Sequence, residues 1–226
     1  MRAPKYLLVS IVLLILCIAF VSQPSLTPTD KHNVILVVWD GCQRNHLHEL
    51  LDNETLPNLK SIIEEGNCID MELHDRIRFE DGIETATKSG HTVMLTGYPP
   101  SVTGVYGNTE WSPIPNGLTI MERLKEYDPS IKTFYIASKF QICAVGDPND
   151  IKNTKMGAGL FYNSLQEMDF YVCEDNGYDV EALTSSAIIQ ITTYRNCQFF
   201  MFLHYWQPDH IGHIYGENSK EYSDSI

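Results

Sequence analysis

Residues 33–41 read NVILVVWDG, an unbroken apolar and β-branched run from Asn33 to Trp39 that stops at Asp40-Gly41. A run with no polar alternation is the pattern of a strand buried on both faces, and such strands belong to parallel sheets covered by helices. The chain downstream keeps alternating in the same way. Leu56, Leu59, Ile62 and Ile63 recur at helical spacing, with Gly66 as a stop. Cys68 to Leu73 reads as a short strand, Leu118 to Tyr127 (LTIMERLKEY) as a helix and Thr133 to Ser138 (TFYIAS) as a strand. Val180 to Tyr194 then reads as a helix and Gln198 to Trp206 (QFFMFLHYW) as another buried strand. Strands alternating with helices predict an α/β sandwich around a largely parallel sheet.

With 226 residues, 43% hydrophobic and 20% charged, the composition suits one sizeable globular domain. Lys and Arg number 16 against 29 Asp and Glu, a net charge of −13 spread along the chain, which argues against nucleic-acid binding by charge. The first 21 residues stand apart. MRAPK carries two positive charges, and Tyr6 to Val21 is a 16-residue stretch whose one clearly polar member is Ser10. About 20 apolar residues are needed to cross a bilayer, so this leader falls between a signal peptide and a signal anchor. Cleavage after Ala19 is one route, to a secreted protein. Export with the anchor retained, Arg2 and Lys5 cytoplasmic and the domain outside, is the preferred expectation. Residues 22–32 (SQPSLTPTDKH) form a linker, and the domain occupies 33–226. Cys42, Cys68, Cys143, Cys173 and Cys197 match no CxxC framework, and their pairing is not readable from spacing. Asn53-Glu54-Thr55 is a formal glycosylation sequon.

Ligands of a parallel sheet gather at the carboxyl ends of its strands. Three polar clusters fall at such places: Asp40 after the first strand, Thr87 in TKSGHTVMLTG (87–97), and Pro208-Asp209-His210-Ile211-Gly212-His213 after the last strand. Asp209 and His213, four apart across a glycine, suit one cation, whereas His210 points about 100° around a helix from Asp209. The alternative is a capping Asp209 and a surface His213. Asp40-Gly41 alone reads as a turn, yet a second carboxylate at the same edge is what a two-metal site requires. The Thr87 hydroxyl is a weak nucleophile that needs a base or a metal, and a helix N-terminus beside it would receive a phosphate or sulfate. Thr85, Thr87 and Ser89 are equally good helix caps.

Taken together, strand-Asp40-Gly41, T-K-S-G-H-x-x-x-L-T-G and strand-x-P-D-x-x-G-H resemble the alkaline phosphatase superfamily, most closely its type I phosphodiesterase/nucleotide pyrophosphatase branch. The resemblance covers residues 33 to about 216 and implies a three-layer α/β/α sandwich. It implies Asp40 and the nucleophile Thr87 as ligands of one metal, and Asp209 and His213 as ligands of the other. The implied cofactors are two divalent ions, zinc first, with manganese or magnesium as alternatives. The implied activity is hydrolysis of small phosphate esters, nucleotides among them. Sulfatases share the superfamily, but Thr87 occupies their nucleophile position and threonine cannot become formylglycine; His91 stands where they carry arginine. A sulfatase, a phosphomutase or a membrane-tethered non-catalytic domain are the alternatives on this fold. Gly90 replaces the asparagine of the branch's T-F-P-N-H, leaving backbone N–H groups or Lys88 to support the phosphoryl oxygens. The branch continues to an Asp-His-Gly motif and a final histidine, whereas this sequence ends at Ile226, so a truncated domain with two protein ligands per metal is expected.

Overall fold

Strand β1 (Val34–Trp39) lies beside β4 (Phe199–Tyr205), which pairs in turn with β2 (Lys132–Ala137), and β2 with β3 (Phe170–Cys173). All three pairings are parallel, so the sheet order is β1-β4-β2-β3. The computed structural model describes residues 32–71, 86–143, 159–173 and 180–226. The leader, all of the linker but His32, and Thr85 lie outside the described residues.

Eight α-helices accompany the strands among the described residues: α1 (Arg44–Asp52), α2 (Pro57–Glu65), α3 (Thr87–Thr96), α4 (Pro100–Thr103), α5 (Ile120–Tyr127), α6 (Val180–Thr193), α7 (Gln207–Tyr215) and α8 (Lys220–Asp224). The side-chain alternation of the central strands divides the core in two. Tyr135, Ala137, Phe200 and Phe202 face one side and pack with Leu95 of α3 and Met121 of α5. Phe134, Ile136, Phe199, Met201 and Leu203 face the other and pack with Leu183 and Ala187 of α6. Helices on both faces of a parallel sheet give the expected α/β sandwich. The same alternation places His204 on the α3 side, following Phe200 and Phe202 at two-residue steps.

Two expectations differ. Residues 68–71 form no strand: Ile69 and Met71 are about three-quarters exposed, so the apolar alternation there meets no core, and Glu72 and Leu73 lie outside the described residues. β1, read as buried on both faces, is an edge strand with one neighbour among the described residues, and Val34, Ile35 and Val37 are exposed. An apolar run specifies a strand but not how many neighbours it has.

Register fixes what meets at the carboxyl edge. Trp39 pairs with Tyr205 and Ala137 with His204, so the residues following β1, β2 and β4 emerge at one level. Ser138 locks this edge, its hydroxyl donating to the His204 carbonyl at 3.0 Å and accepting from the Trp206 N–H at 3.1 Å.

Candidate active site

Asp40 leaves β1 with its N–H on the Tyr205 carbonyl, and its own carbonyl accepts the Asp209 N–H at 2.9 Å. The two acids are thus tied through backbone. Gly41 makes the approach feasible: its φ is +69°, and a Cβ there would lie 2.5 Å from the Asp209 Cα. Gly212 has an equally local reason, because a Cβ would press at 3.2 Å on the ring of buried Tyr222 in α8. Tyr222 in turn donates to the Gly41 carbonyl at 2.6 Å and accepts from the Gln43 N–H at 2.8 Å, pinning the turn that carries Asp40.

Thr87 is the first residue of α3. The N-cap is Ala86, without a side-chain cap, so the threonine hydroxyl does not close its own helix. It meets the Lys139 ammonium instead, at 3.0 Å. Lys139 follows β2 by two residues, and its Nζ also donates to Asp40 Oδ2 at 2.5 Å and to Asp209 Oδ2 at 2.8 Å. Three of the four residues singled out in the sequence therefore converge on one buried ammonium. The fourth, His213, lies one turn beyond Asp209 on α7, with Nε2 3.6 Å from Asp209 Oδ1 and its side chain exposed. His210 is stacked on Trp206, ring centroids 4.3 Å apart. Asp40, Thr87, Lys139, Asp209 and His213 line a cleft of about 860 Å³ together with Gly90.

Behind Asp40, on the sheet side, lie two buried imidazoles. His91, one turn after Thr87, bonds the Thr87 carbonyl through Nδ1 at 2.5 Å. His204 reaches within 3.7 Å of Asp40 Oδ2 through Nε2, beyond hydrogen-bonding distance. The rings of His91 and His204 meet edge to face with centroids 4.8 Å apart. His91 Nε2 and both ring nitrogens of His204 are buried with no hydrogen-bond partner among the described residues. Burial pushes the His91 pKa down to about 4 and lowers that of His204. Burial alone would raise Asp40, but His204 and the Lys139 charge outweigh it and hold the carboxyl well below the usual range. The donors of Asp40, His91 and His204 all lie within 4.8 Å of one another, and an acid with two orphaned buried imidazoles fits a divalent cation.

Lys88, a sequence candidate for phosphoryl support, turns away. Its ammonium donates to the Asn108 carbonyl at 2.6 Å and lies 4.6 Å from the centroid of the Trp111 ring, while its N–H donates to Asn108 Oδ1. Sequence reasoning did not place Lys139 or His204 in the site and saw His91 only as a substitution for arginine. Two signals were present: a lysine just past a strand's carboxyl end, and a histidine inside the apolar run QFFMFLHYW.

A parallel α/β sheet with acids, a hydroxyl and imidazoles at its carboxyl edge defines a protein built to handle a polar, anionic or metal-bound ligand. The family model described as Type I phosphodiesterase / nucleotide pyrophosphatase matches residues 34–226. The chain belongs to that family of phosphate-ester hydrolases, in the alkaline phosphatase superfamily. No curated protein and no solved structure matches it.

Proposed function

We propose that Thr87 is the nucleophile of this phosphate-ester hydrolase, acting on phosphodiester or pyrophosphate bonds through a covalent phosphoryl-threonine. The observation that carries this reading is the Thr87 hydroxyl itself, unused by its own helix and held at 3.0 Å by Lys139 between Asp40 and Asp209. Two divalent cations, zinc by preference, held by Asp40 with Thr87 and by Asp209 with His213, would supply Lewis acidity that lowers the hydroxyl pKa and draws charge from the phosphoryl oxygens.

The chain's own groups do the rest. Lys139 fixes the Thr87 oxygen, and its charge offsets two carboxylates that would otherwise repel an anionic ester. The Thr87 hydroxyl gives its proton to solvent, and Oγ1 bonds to phosphorus as the bond to the leaving oxygen breaks. The leaving group takes a proton from water. A second water then attacks the phosphoryl-threonine, restoring the hydroxyl and releasing a phosphomonoester. Oriented N–H groups at the start of α3 favour the anion, and Gly90 leaves open space, with nothing within 4 Å of where a Cβ would lie. Small esters, nucleotides among them, suit the cleft. The Cys143–Cys173 disulfide supports placing this activity outside the cytosol, on a secreted or membrane-anchored chain.

The test is hydrolysis of bis-p-nitrophenyl phosphate with added zinc. Thr87→Ala lowers the rate on the order of 10³-fold or more, as removal of a nucleophile does, while Thr87→Ser keeps a measurable fraction. Full activity in a folded Thr87→Ala protein sinks the assignment.

A further inference from the structure

We propose that Asp40, His91 and His204 form a three-ligand site for a zinc-class divalent cation on the inner side of Asp40, a site distinct from the Asp209/His213 pair. This goes beyond the hydrolase reading, in which Asp40 acts only with Thr87, and it stands on geometry alone. The three side chains come from separate elements: Asp40 just past β1, His91 in the second turn of α3 and His204 as the penultimate residue of β4, with sheet register placing Asp40 and His204 at one edge. Their donor atoms lie within 4.8 Å of one another. Donors about 2 Å from one tetrahedral ion stand about 3.3 Å apart, so closure by up to about 1.5 Å completes the shell.

His91 carries the second observation. Donation from Nδ1–H to the Thr87 carbonyl fixes the tautomer and leaves the Nε2 lone pair without a partner. A ligand imidazole is prepared in just this way, with the distal nitrogen anchored to a carbonyl and the other free to coordinate. His204 is fully buried, and neither of its nitrogens has a partner among the described residues. Polar atoms buried to that degree are ordinarily satisfied, and three unpartnered imidazole nitrogens beside the Asp40 carboxylate are satisfied most simply by a shared cation. The anchor also links the site to the reaction: a cation drawing on His91 Nε2 strengthens the Nδ1–H bond that holds the backbone of Thr87.

The probe is Co²⁺, loaded into the full chain and read by X-ray absorption and by the visible ligand-field spectrum. The expected shell holds two imidazole nitrogens at about 2 Å plus oxygen donors. One imidazole, or an oxygen-only shell, overturns the proposal, because the Asp209/His213 pair offers one histidine. Lack of Co²⁺ binding by protein whose circular dichroism shows it folded overturns it as well. His204→Gln and His91→Gln are each expected to weaken Co²⁺ binding on the order of 100-fold, whereas His213→Ala leaves the two-imidazole signature in place. The converse pattern overturns the site. Because the absorption experiment uses the unmodified chain, a variant that fails to fold leaves it decisive. Thr87→Ala keeps the two-imidazole shell whatever it does to hydrolysis, so failure of the nucleophile and failure of this site are separable.

Discussion

Thr87 begins α3 one residue past the N-cap Ala86, and its hydroxyl oxygen accepts from Lys139 instead of closing the helix. Taken alone in the sequence Thr87 reads more readily as a cap, and it becomes a candidate nucleophile through Asp40, Asp209, His213 and the family resemblance; the partner its hydroxyl meets is a lysine 52 residues away. Asp40 and Asp209 share that lysine from 99 and 70 residues away. Gly41 is the residue on which this meeting depends. Replacing it with alanine forces both a positive φ and a 2.5 Å contact with the Asp209 backbone. Gly41→Ala is expected to cost about 1–3 kcal/mol in urea unfolding and to lower activity, since Asp209 must move. An unchanged unfolding midpoint would show that the turn tolerates another path.

At the scale of elements, the sheet edge is assembled by pieces that are individually short. The turn after β2, which carries Lys139, is joined to the end of β3 by the disulfide Cys143–Cys173, with Cα atoms 5.6 Å apart and a sequence separation of 30. Closing a loop of that size restricts the unfolded chain by about 3–4 kcal/mol in the chain-entropy view. The double variant Cys143→Ser/Cys173→Ser is therefore expected to lower Tm by roughly 10 °C and to reduce activity by loosening Lys139. A melting point within a degree of the parent would mean that the bridge adds nothing. Cys42, Cys68 and Cys197 are free, and with five cysteines beyond the leader the sequence offered no means of selecting the pair. Helix α5 was legible to within two residues because its start signal is local: Thr119 and Glu122 form a reciprocal capping box.

Across the whole molecule, what the sequence made legible was periodic or local. β1, β2, β4 and α6 follow from apolar runs and spacing; Asp40 and Asp209 stand out for lying after strands, and Thr87 for lying at a helix start. What it hid depended on pairing. The order β1-β4-β2-β3 decides that β1 is an edge, that Lys139 emerges beside Asp40, and that His204 faces α3 and His91. None of these has a local signal strong enough to outweigh its bland alternative.

The buried imidazoles also give the fold a pH dependence. Burial holds His91 at about 4, below the ordinary value of about 6.5, and lowers His204 too. Between those limits the unfolded chain binds the proton and the folded chain does not, so the contribution of His91 to stability is complete above about pH 6.5 and is expected to be lost as the pH drops toward 4. Urea midpoints measured across that window should decline in the parent and decline less in His91→Gln. Equal slopes would remove His91 from the account.

The central claim is a covalent phosphoryl-threonine on Thr87, and peptide mass spectrometry of the zinc-loaded chain, acid-quenched during turnover of bis-p-nitrophenyl phosphate, reads it directly. The predicted result is the mass of one p-nitrophenyl phosphoryl group on the peptide carrying Thr87, localised to that residue and absent from Thr87→Ala. Turnover with Thr87 unmodified at every quench time, or the adduct on another residue, would contradict it.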